Sequence, residues 1–244
     1  MSERIIVAGG GIIGICVTLS LLEKGVSVEI IDRDPPASGA SHGNAGVISP
    51  WTCVPQSMPG NWKNIPKWLF DPEGPVSVHA KYMPKFLPWA IKFLRAANET
   101  GLPAIGDAMS ALNRPNVDLY RRHLDGTGSE HLVADSLYVH VFRDASAADL
   151  NKLAWRMRSE RGTPMEAVNE GELQELEPAL GPDYKAAILL KDQARALDPG
   201  AIGRVLFEKA MAMGAKFRQA NIQGIVTAAE GGWNADTDVG LVHG

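Results

Sequence analysis

Arg4-Ile5-Ile6-Val7-Ala8-Gly9-Gly10-Gly11-Ile12-Ile13-Gly14 is the stretch that decides the fold. An apolar run meets glycines at 9, 11 and 14, which fit G-x-G-x-x-G. From Ile5 to Leu22 there is no charge for eighteen residues, which by itself suits a signal peptide or a membrane anchor. The glycines interrupt that run. Glu23-Lys24-Gly25 stands where a small-residue cleavage site belongs, and Val26-Ser27-Val28-Glu29-Ile30-Ile31-Asp32 follows as another strand. Strand, glycine turn, helix, strand accounts for all of these features. Arg4 to Ala8 is then expected to be a strand buried on both faces. The helix runs to Lys24 with Ile12, Ile15, Cys16, Leu19 and Leu22 on its apolar side, and Gly25 caps it.

Each glycine has a physical task in a dinucleotide site. Gly9 allows the tight turn out of the strand. Gly11 lacks a Cβ, so a pyrophosphate can approach the backbone. Gly14 lets the helix lie close to the sheet. The helix N-terminus offers N–H groups and partial positive charge to phosphates. Asp32 lies eighteen residues beyond Gly14, at the end of the second strand, and its carboxylate can accept hydrogen bonds from both ribose hydroxyls. The strand itself needs no carboxylate there, so a purely cofactor-directed role is expected. The expected contacts are therefore Gly9, Gly10, Gly11, Ile12, Ile13, Gly14, Asp32 and its neighbour Arg33. This motif alone does not choose between FAD and NAD.

The chain has 244 residues, with 24 Lys and Arg against 28 Asp and Glu, a formal charge of −4. A mildly acidic balance leaves no electrostatic footprint for nucleic acid. Two cysteines, Cys16 and Cys53, make neither a disulfide scaffold nor a four-thiolate zinc site, and they point to a reducing compartment. No metal site is expected.

After the second strand comes Asp34-Pro35-Pro36-Ala37-Ser38-Gly39-Ala40-Ser41-His42-Gly43-Asn44-Ala45-Gly46-Val47-Ile48-Ser49-Pro50. It is small, polar and glycine-rich, hence a loop, and a loop this long in a compact domain is usually functional. Gly39-Ala40-Ser41-His42-Gly43 also fits G-x-S-x-G, the nucleophile elbow of serine hydrolases. An elbow needs a buried strand before it and a helix after it. Asp-Pro-Pro precedes this one and Asn-Ala-Gly follows, so His42 reads as a loop residue.

The N-terminal unit followed by the Ala37 to Pro50 loop resembles the D-amino acid dehydrogenase small-subunit group, within the D-amino acid oxidase-like FAD oxidoreductases. The resemblance continues through Phe70 to Pro75, Ser136 to Arg143, Gly171 to Leu180 and Asp192 to Gly214. It implies FAD as cofactor, with Ser41, Asn44, Ala45 and Gly46 along the flavin and its phosphates. It also implies oxidation of a D-amino acid, or a related small amine, by hydride transfer to flavin. The imino product is then hydrolysed to a keto acid. An Arg with a Tyr usually clamps the substrate carboxylate in this family. Arg143, Arg195, Tyr138 and Tyr184 each read here as structural or surface residues, so catalytic residues are unassigned.

Residues 50 to 88 hold eight of the sixteen prolines, and Trp51, Trp62, Trp68 and Trp89 lie in or beside that segment. Tryptophan at this density is expected to be buried in an ordered excursion. Lys81 to Ala97 reads as a helix with Met83, Phe86, Leu87, Ala90, Phe93 and Leu94 at helical spacing and Lys85, Lys92 and Arg95 on other faces. It suits packing on a core, and it also suits peripheral contact with a membrane surface. Further helices are expected over 104–124, broken at Pro115, over 146–161, after Asn169, and from Pro199 to Met213. Strands are expected at 137–142, 165–168, 186–190, 216–219, 222–227 and 233–237.

The expected fold is α/β. Residues 1–50 and 185–244 form a discontinuous, Rossmann-like FAD-binding domain, and 51–184 an inserted, partial α+β substrate domain. Members of the group resembled are much longer than this chain. The expectation is thus an N-terminal part, a split product, or a subunit that needs a second polypeptide. A non-catalytic dinucleotide-binding subunit is the alternative to an oxidoreductase. The expected location is the cytoplasm, peripheral on the inner face of the membrane if the basic aromatic helix docks there.

Overall fold

The structure is a computed structural model that describes residues 4–60, 63, 77–228 and 231–244. The chain divides into two compact units, one of Met1–Ile48, Asn116–Ser136 and Ala194–Gly244, the other of Ser49–Pro115 and Leu137–Gln193. This division differs from the expected boundaries in three segments: 116–136 belongs to the first unit, and 49–50 and 185–193 to the second.

The first unit is built on a three-stranded parallel sheet. Its strands are β1 (Arg4–Ala8), β2 (Ser27–Asp32) and β7 (Lys216–Gln219), in the order β1-β2-β7. Ile5 pairs with Val28 and Asp32 with Gln219. Between β1 and β2 runs helix α1 (Ile12–Leu22). Gly25 ends it at φ +76°, where a left-handed residue turns the chain and its N–H reaches the Leu22 carbonyl at 2.9 Å. Alternation along the strands sorts the side chains between two faces. Val7, Val28 and Ile30 pack with Leu21, Leu22, Phe207 and Met211, which belong to α1 and to α7 (Pro199–Ala212). On the opposite face Ile6 and Ile31 meet Ile222, Ala235 and Val242 of a meander, β8 (Ile222–Thr227), β9 (Trp233–Thr237) and β10 (Gly240–His243). Ile30 and Ile31 are fully buried, each worth about 1.5–3 kcal/mol of transfer free energy. Helix α4 (Asn116–Leu124) adds Val117, Tyr120 and Leu124 to the α1–α7 core.

One polar residue is buried in this sheet. Glu29 of β2 is 2% exposed between two arginines from the flanking strands. Arg218 Nε donates to its Oε1 at 2.7 Å, and Arg4 Nη1 lies 2.7 Å from Oε2 as an ion pair. A buried carboxylate is tolerated only when neutralised in this way.

Two expectations for the first unit are corrected. β1 is an edge strand, not one buried on both faces: Ile5 is 41% exposed, and no strand among the described residues pairs with its outer side. The hairpin of β8 and β9 also gains a third strand, β10, which pairs antiparallel with β9.

The second unit holds α2 (Met83–Ala96), α3 (Leu102–Asn113), α5 (Leu153–Ser159), β5 (Met165–Asn169) and α6 (Glu170–Leu176). It also takes most of β4 (Val133–Phe142) and β6 (Ala186–Ala196). β5 pairs antiparallel with β6, Met165 against Leu190. Val168, Leu173, Ala187 and Leu189 form one apolar cluster, and Trp155, Ile188 and Leu190 another. Asn169 starts α6 with a capping box: its side chain accepts from Glu172 N–H at 3.1 Å, and the Glu172 carboxylate accepts from Asn169 N–H at 2.8 Å.

The helix expected over 146–161 shortens to α5. Asp144 and Asp149 each accept a hydrogen bond from the backbone N–H two residues on, and these local turns compete with a helix. β4 and β6 run longer than their apolar cores suggested, to Val133 and to Ala196. The tryptophan expectation fails at Trp89, which is 55% exposed on α2 beside Phe86 and Phe93. Trp51 is half-buried under the Arg114 guanidinium, 5.0 Å from the ring centre. Trp62, Trp68 and the Phe70 to Pro75 segment lie outside the described residues. Among the described residues no helix is long and apolar enough to cross a membrane.

Candidate dinucleotide site

The glycine turn lies at the carboxyl end of β1. Gly9 adopts φ +110°, a conformation that side chains resist, and its N–H bonds the Ile31 carbonyl at 2.8 Å. Gly14 is fixed by space. A Cβ there would stand 1.9 Å from the Gly9 carbonyl oxygen and 3.2 Å from Val7 Cγ1. At Gly10 a Cβ would come 3.4 Å from Asp32 Cβ, and at Gly11 it would come 3.2 Å from Ser41 Oγ. Ile12 N–H donates to that Ser41 oxygen at 2.9 Å. The N–H groups of Ile13 and Gly14 belong to the first turn of α1, where no carbonyl four residues back lies inside the helix. Ile13 is 79% exposed beside them.

Asp32 braces the turn, contrary to the expectation of a purely cofactor-directed carboxylate. Its Oδ2 accepts from Gly10 N–H at 2.6 Å and its Oδ1 from Asp34 N–H at 2.9 Å. Each carboxylate oxygen keeps a further lone pair for a hydroxyl donor. Arg33 holds Asp34 through its side chain at 3.2 Å, and its carbonyl accepts from Gln219 Nε2 at 3.0 Å.

The loop after β2 returns to this turn. Ala37 N–H donates to the Gly10 carbonyl at 2.8 Å. Asn44 closes the loop on itself, its amide donating to the Ala40 and Ser41 carbonyls and its Oδ1 accepting from Gly46 N–H at 2.8 Å. Ala45 is exposed between them. Gly46 sits at φ +68°, and a Cβ would come 2.5 Å from the Ala196 oxygen. The short strand β3 (Val47–Ile48) then pairs with Ala194 and Arg195 of β6.

Ile12, Ser41, Asn44, Gly46, Tyr120 and Ile202 are among the residues lining a small cleft of about 50 Å³. That volume admits a slender part of a dinucleotide, not a ring system. Tyr120 is a lining residue that sequence reasoning missed, because α4 carries no motif. Burial pushes its phenol up to about 12, and burial pushes the Cys16 thiol up to about 11, so both stay neutral at pH 7. A bare Cα at Gly11, free first-turn donors and open acceptor sites on Asp32 are features a dinucleotide needs, so the residues present fit FAD.

The hydrolase alternative finds no support in the geometry. Ser41 has neither a strand before it nor a helix after it, and it serves as acceptor for Ile12 N–H. In the second unit the Arg143 guanidinium lies over the Tyr184 ring, 5.8 Å from its centre.

The profile of the family described as DAO, FAD dependent oxidoreductase, matches residues 4–243. A D-amino-acid oxidase of Bradyrhizobium diazoefficiens is 32% identical over 91% of this chain and 53% of its own length. A D-amino acid dehydrogenase of Helicobacter pylori is 25% identical over 89% of this chain and 52% of its own. The FAD-bound structure of L-alpha-glycerophosphate oxidase from Mycoplasma pneumoniae superposes with a TM-score of 0.61 at 14% identity, over 97% of this chain and 50% of that one. The chain thus spans about half the length of the curated relatives it matches.

Proposed function

The chain belongs to the DAO family of FAD-dependent oxidoreductases, and from that premise we propose that it carries the dinucleotide-binding part of an enzyme oxidising D-amino acids or a related small amine. The observation that supports this most is the return of the Ser41–Gly46 loop to the N-terminus of α1, through Ile12 N–H and Ser41 Oγ. That return joins the glycine motif to the segment on which the resemblance to D-amino acid enzymes rests.

FAD, when bound, supplies the acceptor for the hydride leaving the substrate Cα. The residues of this chain hold and orient. First-turn N–H groups of α1 take the phosphate charge, with Gly11 allowing the approach. Asp32 accepts from the ribose hydroxyls while bracing Gly10. Gly9, Gly10, Ile12, Ile13 and Gly14 complete the cradle, with Arg33 at its rim. Ser41, Asn44, Ala45 and Gly46 form its far wall. The first unit does the cofactor work and the second contributes to substrate binding.

Two partner assignments accompany this reading. A further polypeptide segment, in the same gene product or a second chain, is expected against the free side of β1. There an apolar cleft of about 540 Å³ runs past Ile5, Ile6, Ile225 and Trp233. The basic, aromatic α2 is expected to touch a membrane surface from the cytoplasmic side. Its Trp89, Leu87 and Ile91 are exposed, and no acid stands between Lys81 and Arg95.

The test is the visible spectrum of the purified chain before and after D-alanine or D-proline, alone and with a second polypeptide that corresponds to the other half of the relatives' length. Weak flavin retention by the chain alone is expected, with retention and bleaching restored by the second half. A colourless mixture removes the cofactor assignment. A yellow mixture that no amino acid bleaches leaves the non-catalytic alternative.

A further inference from the structure

Helix α7 carries two glycines, Gly200 and Gly203, in its first turns, and neither belongs to a turn or a left-handed conformation. Gly within a helix is unfavourable, so its presence needs a reason. The surroundings give one at each position. A Cβ at Gly203 would stand 2.4 Å from Ala37 Cβ. A Cβ at Gly200 would stand 2.4 Å from His42 Nδ1. Both neighbours belong to the loop that faces the glycine turn.

The two contacts differ in kind. The His42 ring ends an exposed side chain and can swing aside. The Ala37 methyl is bonded directly to the backbone, and Ala37 is 4% exposed, so no rotamer relieves a clash there. Ala37 also adopts φ +56°, an unfavourable conformation for a non-glycine residue that its surroundings must hold in place. Its N–H is the donor to the Gly10 carbonyl at 2.8 Å. A shift of Ala37 therefore moves a residue of the glycine turn.

We infer that Gly203, with Gly200 as the weaker second contact, is a positioning residue for FAD. By lacking a side chain it lets α7 seat the 37–46 loop at the height where Ala37 meets Gly10 and Ser41 meets Ile12. The inference rests on the assignment of that loop to the cofactor. A methyl added at Gly203 has to move the loop by about 1 Å to reach ordinary carbon contact. Helix propensity alone calls for the opposite outcome, since Gly→Ala in a helix interior stabilises.

The experiment pairs Gly203→Ala with Ala37→Gly in the full 244-residue chain. The double variant moves the methyl from loop to helix and frees residue 37 for its positive φ. Two quantities are read: amide hydrogen exchange in the absence of FAD, and the dissociation constant for FAD. Gly203→Ala is expected to speed exchange at Ala37 and Ile12 at least about tenfold, leaving Ile30 and Ile31 unchanged, and to weaken FAD at least about tenfold. The double variant is expected to return both to within about threefold of the parent. Parental exchange and affinity in Gly203→Ala would overturn the inference, as would a double variant no better than the single. Faster exchange with parental affinity would also overturn it, by separating the loop from the cofactor. If Gly203→Ala does not fold, recovery of a folded, FAD-binding chain in the double variant supports the seat, and failure to recover overturns it. A parent chain that takes up no FAD even with the second half added sinks the cofactor assignment instead, and exchange then decides the seat by itself.

Discussion

The glycine turn at 9–14 and the loop at 37–46 face each other across two hydrogen bonds, yet they are held in opposite ways. The turn is fixed mostly from within, Gly9 by its backbone angle and Gly14 by the carbonyl five residues before it, with Asp32 bracing Gly10 from outside. The loop makes a few bonds of its own, through Asn44 and from His42 N–H to the Gly39 carbonyl, and for the rest borrows its shape. Gly10, Ile12, Ala196, Gly200 and Gly203 each touch it from elsewhere in the chain. A short segment can thus be conformationally determined by its own spacing, or by partners more than 150 residues away. Only the first kind is written as a motif.

The largest effect that separates the two is expected from Gly14→Ala. Its methyl would meet backbone, which cannot rotate away, so the first unit should lose about 3 kcal/mol or more. Urea denaturation followed by circular dichroism measures this; a loss under 1 kcal/mol would mean the turn is as adaptable as the loop. Asp32→Ala comes next. It removes the brace on Gly10, the bond to Asp34 N–H and the acceptor for the ribose. FAD should bind ten- to hundredfold more weakly, and the apo-protein should lose about 1–3 kcal/mol. Weakened FAD binding with parental apo stability would show that the turn stands without its brace. The smallest effect is expected from Ser41→Ala, which deletes one hydrogen bond between turn and loop, about 0.5–1.5 kcal/mol. A phosphate offers Ile12 N–H a better acceptor than a hydroxyl does, so apo stability should fall while FAD affinity stays within about threefold. A larger loss of affinity than Asp32→Ala gives would reverse the ranking of turn and loop.

The sequence made the first unit legible where constraints are local. The β1–α1–β2 unit, the Pro199 start of α7 and the strand at 216–219 all follow from periodicity, caps and glycine. Less was legible where partners are remote. The two flanking strands of a sheet look alike in sequence, so nothing in Arg4–Ala8 announces that β1 is an edge. β6 continues past Leu190 through Lys191 to Ala196 because β3 pairs with its far end, which its polar residues hide. The brace role of Asp32 was hidden for the same reason, since Gly10 N–H is 22 residues away. Trp89 shows that composition alone does not fix burial.

The buried Glu29 also sets an order of events during synthesis. One of its arginines, Arg4, leaves the ribosome before it, but the other, Arg218, follows 189 residues later. At translation rates of about 5–20 residues per second, that interval lasts on the order of 10–40 s. Throughout it β2 carries a half-neutralised carboxylate and an unpaired edge where β7 will add. The nascent N-terminal segment therefore has no complete sheet to join until most of the chain has emerged, and this is the window in which it most needs protection from mispairing.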